Sequence, residues 1–103
     1  MIYMQNIIDD DKALMTIVFD KKVLDYLKCK VNDYVGLFQS KSMDNFFILA
    51  KTDSGYRIKR YPLRKKTYQI NVRYRYRGVP EFDFAACTYY LKRNGYVRIV
   101  AKY

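Results

Sequence analysis

A single antiparallel domain of the α+β class, mostly β, with six or seven short strands and two short helices, is predicted by three features of this sequence. The first is a strict two-residue alternation over 70–77: Ile70, Val72, Tyr74 and Tyr76 at even positions, Asn71, Arg73, Arg75 and Arg77 at odd ones. The second is a recurrence of apolar, β-branched and aromatic runs of strand length at 14–19, 34–38 and 46–51. The third is the turn chemistry between such runs, at Asn32-Asp33, Asp53-Ser54-Gly55 and Gly78 to Pro80. A chain of 103 residues is the size of one domain with one core, so a single unit over 1–103 is expected.

Taken in order, residues 2–8 are apolar enough for a strand or a short helical arm, and Asp9, Asp10 and Asp11 break the run as a solvated turn. After the strand at 14–19, Asp20 is a good N-cap for a helix whose stripe is Val23, Leu24 and Leu27. Tyr34 to Phe38 and Phe46 to Lys51 read as a hairpin around the polar loop 40–45. Tyr56 to Tyr61 is a further strand, limited by Pro62, with Arg64, Lys65 and Lys66 in a loop or on an exposed edge. The second helix is placed at Phe84 to Arg93, with Asn94-Gly95 as its stop. Residues 96–103 alternate again, with Val97, Ile99 and Ala101 on one face and Tyr96, Arg98, Val100 and Lys102 on the other. A faint echo between Phe19 to Val35 and Phe82 to Val97 suggests two copies of a strand, helix, strand unit.

Charge and tyrosine content set the function classes. The chain carries a net charge of +10 and twelve Tyr, with no His. Up to residue 50 the balance is −1 and beyond it +11, an asymmetry that steers a polyanion toward one surface. Between Tyr56 and Arg77 lie nine bases and no acid: Arg57, Lys59, Arg60, Arg64, Lys65, Lys66, Arg73, Arg75 and Arg77. Phosphates are their natural complement, and aromatic rings stack on unpaired bases of any sequence. Within 70–77 the tyrosines belong to the core or to a dimer interface, because they share a face with Ile70 and Val72 and the arginines point away. Stacking fits better where Tyr96 shares a face with Arg98 and Lys102, and at Tyr61 and Tyr68.

Enzyme chemistry is not expected. No His serves as a base, the three Ser lack a nucleophile-elbow pattern, and no phosphate loop is present. No metal or other cofactor is expected: Cys29 and Cys87 stand alone and read as buried, reduced thiols, and consecutive Asp9 to Asp11 lack metal-loop spacing. No apolar run reaches membrane-spanning length and the N-terminal residues lack a signal-peptide pattern, so a cytoplasmic address without membrane contact is expected.

The segment from Ile17 to Leu37 resembles the strand, helix, turn and strand core of AbrB-type swapped-hairpin transcription regulators. The matching positions are Ile17 and Phe19, Val23 and Leu27, Asp33, then Val35 and Leu37. Asp20 and Asn32 depart from the family's usual Pro and Gly, and the arginines around its first strand are absent. The resemblance implies a homodimer of exchanged hairpins and says less about how the chain touches DNA.

The leading expectation is sequence-tolerant binding of single-stranded DNA or RNA, in replication or transcription, by a homodimer or higher oligomer. Arg73, Arg75 and Arg77 are assigned to phosphates, with Arg57, Lys59, Arg60, Arg64, Lys65, Lys66, Arg98 and Lys102 extending the track and Tyr96 stacking. The alternatives are an AbrB-like duplex-binding regulator, and a small interaction module or inhibitor that docks its basic face on an acidic protein.

Overall fold

The computed structural model describes residues 1–43, 45–75 and 79–101, with Arg75 described by its backbone alone. The chain opens with a hairpin, β1 (Ile2–Asp9) and β2 (Lys12–Asp20), turning at Asp10 and Asp11. Asp10 takes a left-handed φ of 62°, which aspartate tolerates better than most residues. Asp10 and Asp11 therefore form the expected solvated turn, while Asp9 ends the strand that residues 2–8 make. Helix α1 (Lys21–Tyr26) follows at once. The Asp20 carboxylate accepts from the Val23 N–H at 3.2 Å, supplying an orphan amide of the first turn with its acceptor. Val23, Leu24 and Leu27 are buried, as their spacing predicts.

Asn32, at φ 78°, turns the chain into β3 (Tyr34–Gln39), which pairs with β4 (Phe46–Thr52). Next come β5 (Tyr56–Arg57), β6 (Lys59–Arg60), β7 (Thr67–Arg75), β8 (Phe82–Ala86), β9 (Thr88–Leu91) and β10 (Val97–Val100). The strands form two five-stranded antiparallel sheets, ordered β6-β7-β2-β1-β8 and β5-β3-β4-β10-β9.

The two sheets share their edges. β5 and β6 are separated only by Ile58, and β8 and β9 only by Cys87. Each pair is one chain segment that leaves the edge of one sheet and enters the edge of the other. Ile58 is fully buried and bonded to the backbone of Asn32 and Asp33, while the Cys87 N–H donates to the Ile2 carbonyl at 2.9 Å. The result is a closed antiparallel barrel of eight segments. Closure satisfies the edge amides and carbonyls that an open sheet would present to other chains. Inside it pack Met4, Met15, Ile17, Phe19 and Ile70 from the first sheet against Val35, Phe47, Leu49, Val97 and Ile99 from the second.

Two expectations are corrected. Among the described residues there are ten strands, because the segments 56–60 and 82–91 each bend from one sheet to the other at a single residue. Among the same residues there is one helix, because Phe84 to Arg93 forms part of β8, β9 and the turn into β10. Ala85, Ala86 and the terminating Gly95 favoured helix locally, but β1 and β10 each need a partner on their open side. The β-branched and aromatic residues of Phe82 to Leu91 supply it. The echo between the two halves fails with that helix. Cys29 is buried as expected, whereas Cys87 is half-buried at its corner.

Candidate nucleic-acid interface

On a barrel every strand has one inward and one outward row, so a strand apolar on both rows must leave one of them outside. β4 is such a strand, reading Phe46, Phe47, Ile48, Leu49, Ala50. Phe47 and Leu49 are buried, and Ile48 is 38% exposed. Its cross-strand partners carry the same outward character. Ile48 faces Phe38 of β3 on one side and Arg98 of β10 on the other, and Arg98 faces Tyr90 of β9. Phe38, Ile48, Arg98 and Tyr90 thus form one row across four strands, about 14 Å long at about 4.8 Å per strand. Phe38 is 55% exposed and Tyr90 45%.

Arg98 is the centre of the row. Its guanidinium lies 5.1 Å from the ring centroid of Phe46 and 4.9 Å from that of Tyr90. The quadrupoles of two aromatic faces hold the cation there. Its buried Nε has no hydrogen-bond partner among the described residues. The sequence placed Arg98 on an outward face for phosphate contact. The structure puts it there but lays its planar group between rings.

Phe38 is positioned by a glycine. A Cβ at Gly36 would approach the far edge of the Phe38 ring to 2.9 Å, so the ring lies over the bare backbone two residues earlier. Beyond it, Tyr34 is 41% exposed and in register with Arg57 of β5. No Asp or Glu occupies an outward position on β3, β4, β5, β9 or β10.

The other predicted residues are distributed. Arg73 is exposed on the outer face of the first sheet, in register with Leu14, and Arg75 is in register with Lys12. Arg73 lines a shallow hollow with Asp9, Asp11 and Lys12, so its surroundings mix both signs of charge. Lys59 is exposed in register with Gln69, and Arg60 is exposed in register with Tyr68. Arg64, Lys65 and Lys66 lie exposed in the β6–β7 loop. Tyr96 is half-buried just before β10, where its carbonyl accepts from the Lys92 N–H at 2.9 Å. Arg77 and Lys102, with Tyr76, lie outside the described residues. The basic residues therefore do not form one track. Arg57 and Arg98 belong to the second sheet, Lys59 to Lys66 to the corner and its loop, and Arg73 and Arg75 to the first sheet.

The tyrosines sort differently from the expectation too. Tyr68 is not in a loop but begins β7, buried with its ring 6.3 Å from that of Phe19. Tyr74 turns inward, as its alternation predicts, and its hydroxyl donates to Asn6 Oδ1 at 2.7 Å. Tyr34, Phe38, Phe46, Ile48 and Tyr90 were not singled out from sequence. The readable signal was the doubly apolar run of β4, which one barrel interior cannot absorb.

Among the described residues no group of three His, Cys, Asp or Glu is gathered as a metal site. A cleft of about 260 Å³ opens between the sheets, lined by Met15, Leu37, Gln39, Phe47, Tyr56, Val72, Tyr74 and Val79. No helix is long and apolar enough to cross a membrane among the described residues. Comparison with protein-family models, with curated proteins and with solved structures finds no match for this chain.

Proposed function

We propose that the protein binds single-stranded nucleic acid across the outer face of its second sheet, without chemical turnover and with little sequence preference. The observation that carries this reading is the acid-free row Phe38, Ile48, Arg98 and Tyr90, solvent-exposed at both ends and built around a cation held between rings. An exposed apolar patch of this kind on a closed barrel marks an interaction surface. The net charge of +10 selects a polyanion as its partner.

In this reading unpaired bases stack on the exposed rings of Phe38 and Tyr90, and the Arg98 cation, held between Tyr90 and Phe46, supplies positive charge between them. Arg57, beside Tyr34, holds a phosphate at the edge of the face. Stacking discriminates little among bases, since each has a π-face, and contributes about 1–3 kcal/mol per base. The row spans about 14 Å, room for roughly two to four nucleotides at the rise of a stacked strand.

Anisotropy titration of a labelled strand of about 20 nucleotides, beside the same sequence as duplex, over a salt series, tests the proposal. Tighter binding of the single strand, weakened by Phe38→Ala and Tyr90→Ala, is the expected result. Absence of binding to either form at low salt would overturn it. Preference for duplex, undiminished by those substitutions, would favour the AbrB-type regulator that residues 17–37 resemble. The exposed apolar row also suits self-association. A dimer in sedimentation velocity that Phe38→Glu dissociates, without any oligonucleotide affinity, would give this face to a second copy of the chain.

A further inference from the structure

We propose that the β6–β7 loop is a wedge: Leu63 inserts between neighbouring bases while Arg64, Lys65 and Lys66 hold the flanking phosphates. This rests on the single-strand reading of the second sheet and adds a second, different contact to it. Leu63 is 81% exposed, the most exposed large apolar side chain among the described residues. An isolated surface leucine is ordinary. This one stands between Pro62 and Arg64 in a stretch from Tyr56 to Pro80 that contains no Asp or Glu. Apolar side chains that enter base steps, proline and leucine among them, are accompanied by basic groups in this way, because unstacking must be offset by backbone contacts.

The loop is built to hold Leu63 outward. The Tyr61 N–H donates to the Thr67 carbonyl at 2.8 Å, and the Thr67 hydroxyl donates to the Lys65 carbonyl at 3.0 Å. Lys66 takes a left-handed φ of 55° to close the turn, and the Tyr61 ring meets Phe84 edge-on at 6.3 Å. Tyr61 and Arg64 border a hollow with Tyr3, Val18 and Phe84 on the outer face of the first sheet, which anchors the loop on its inner side. Leu63 takes no part in that anchoring. A pre-positioned side chain loses little conformational freedom on insertion.

The corner strand links the wedge to the stacking face. Arg57 and Lys59 alternate with buried Ile58, so both point outward, Arg57 beside Tyr34 and Lys59 beside Gln69. A strand leaving the second sheet past Tyr34 meets these two cations and then the loop. A lipid surface fits less well. Hold on a bilayer scales with the apolar area buried in it, and the only apolar side chains the loop offers are Leu63, Pro62 and a Tyr61 ring engaged with Phe84.

The test is a strand of about 20 nucleotides carrying a central 2-aminopurine, whose fluorescence rises on unstacking, with anisotropy followed in the same samples. Wild-type protein is expected to bind and raise the fluorescence. Leu63→Ala is expected to bind within about threefold of wild type but lose more than about half of that rise. Lys65→Ala with Lys66→Ala is expected to lower the salt slope by up to about 1.4. A rise unchanged by Leu63→Ala overturns the wedge and leaves the stacking face standing. Failure of the wild type to bind any oligonucleotide overturns both. Retention on phosphatidylserine vesicles that Leu63→Ala abolishes, with no fluorescence rise on oligonucleotide, assigns the loop to membranes and overturns the wedge.

Discussion

The outer faces of the two sheets are made by the same barrel and differ in almost every other respect. On the first sheet, outward residues satisfy one another. The Thr16 hydroxyl donates to Asn71 Oδ1 at 3.0 Å, and the Gln5 amide donates to Asp83 at 2.9 Å. Val18, although outward, is buried beside the β6–β7 loop. Asp9 and Asp83 bring negative charge to this face. On the second sheet Phe38, Ile48 and Tyr90 are exposed, no acid enters the row, and its cation is held by rings. The contrast teaches that a run of bases in the sequence does not make one basic surface in the fold. Arg73 belongs to the densest basic stretch of the chain, yet it sits on the mixed face. What distinguishes the second sheet is the lack of acids on its strands and a cation held between rings.

The largest effect that probes this contrast separates the two rows of a single strand. Leu49→Ala, inside the barrel, should cost about 2–5 kcal/mol in urea denaturation, whereas Ile48→Ala, next to it and outward, should cost less than about 1 kcal/mol. Equal costs would mean that the outer row is covered in solution. Tyr90→Ala and Phe38→Ala should then each weaken single-strand binding by about 1–3 kcal/mol while leaving the fold intact. Gly36→Ala should act in the same direction and more weakly, because the added methyl group displaces the Phe38 ring without removing it.

Arg73→Ala should leave the plot of log K against log salt within about 0.7 of the wild-type slope, the effect of less than one phosphate contact. A loss of a full contact would bring the first sheet into the site and weaken the comparison. The smallest effect is read at Cys29, whose thiol burial pushes above its ordinary value. The thiolate is disfavoured in the folded chain, so alkylation near neutral pH should be slow and should accelerate in alkali. The linked stability is complete below the unfolded value and is lost as pH rises through the folded one. Tyr90→Ala should leave that protection unchanged, and Leu49→Ala should reduce it.

Much of the secondary structure was legible because it is local. Asp20 caps α1 through its own side chain, Asp10 and Asp11 turn the first hairpin, and the alternation of 70–75 sends Ile70 and Val72 inward and Arg73 outward. The same locality explains the failures. Phe84 to Arg93 carries helix-favouring alanines and a terminal glycine, and only the unpaired sides of β1 and β10, supplied from elsewhere in the chain, make it strand. The candidate site was partly legible: Arg98 and Arg57 were among the residues assigned to binding, whereas Phe38 and Ile48 were read only as strand residues and Tyr90 as part of a helix. Sequence by itself determined which side chains alternate, where the chain turns, and that the protein carries a large one-signed charge. Tertiary structure alone decided which of two equally apolar rows of β4 lies inside. That choice depends on closure at Ile58 and Cys87: once eight segments share one interior, its volume admits a single row from each strand, and the other must face outward.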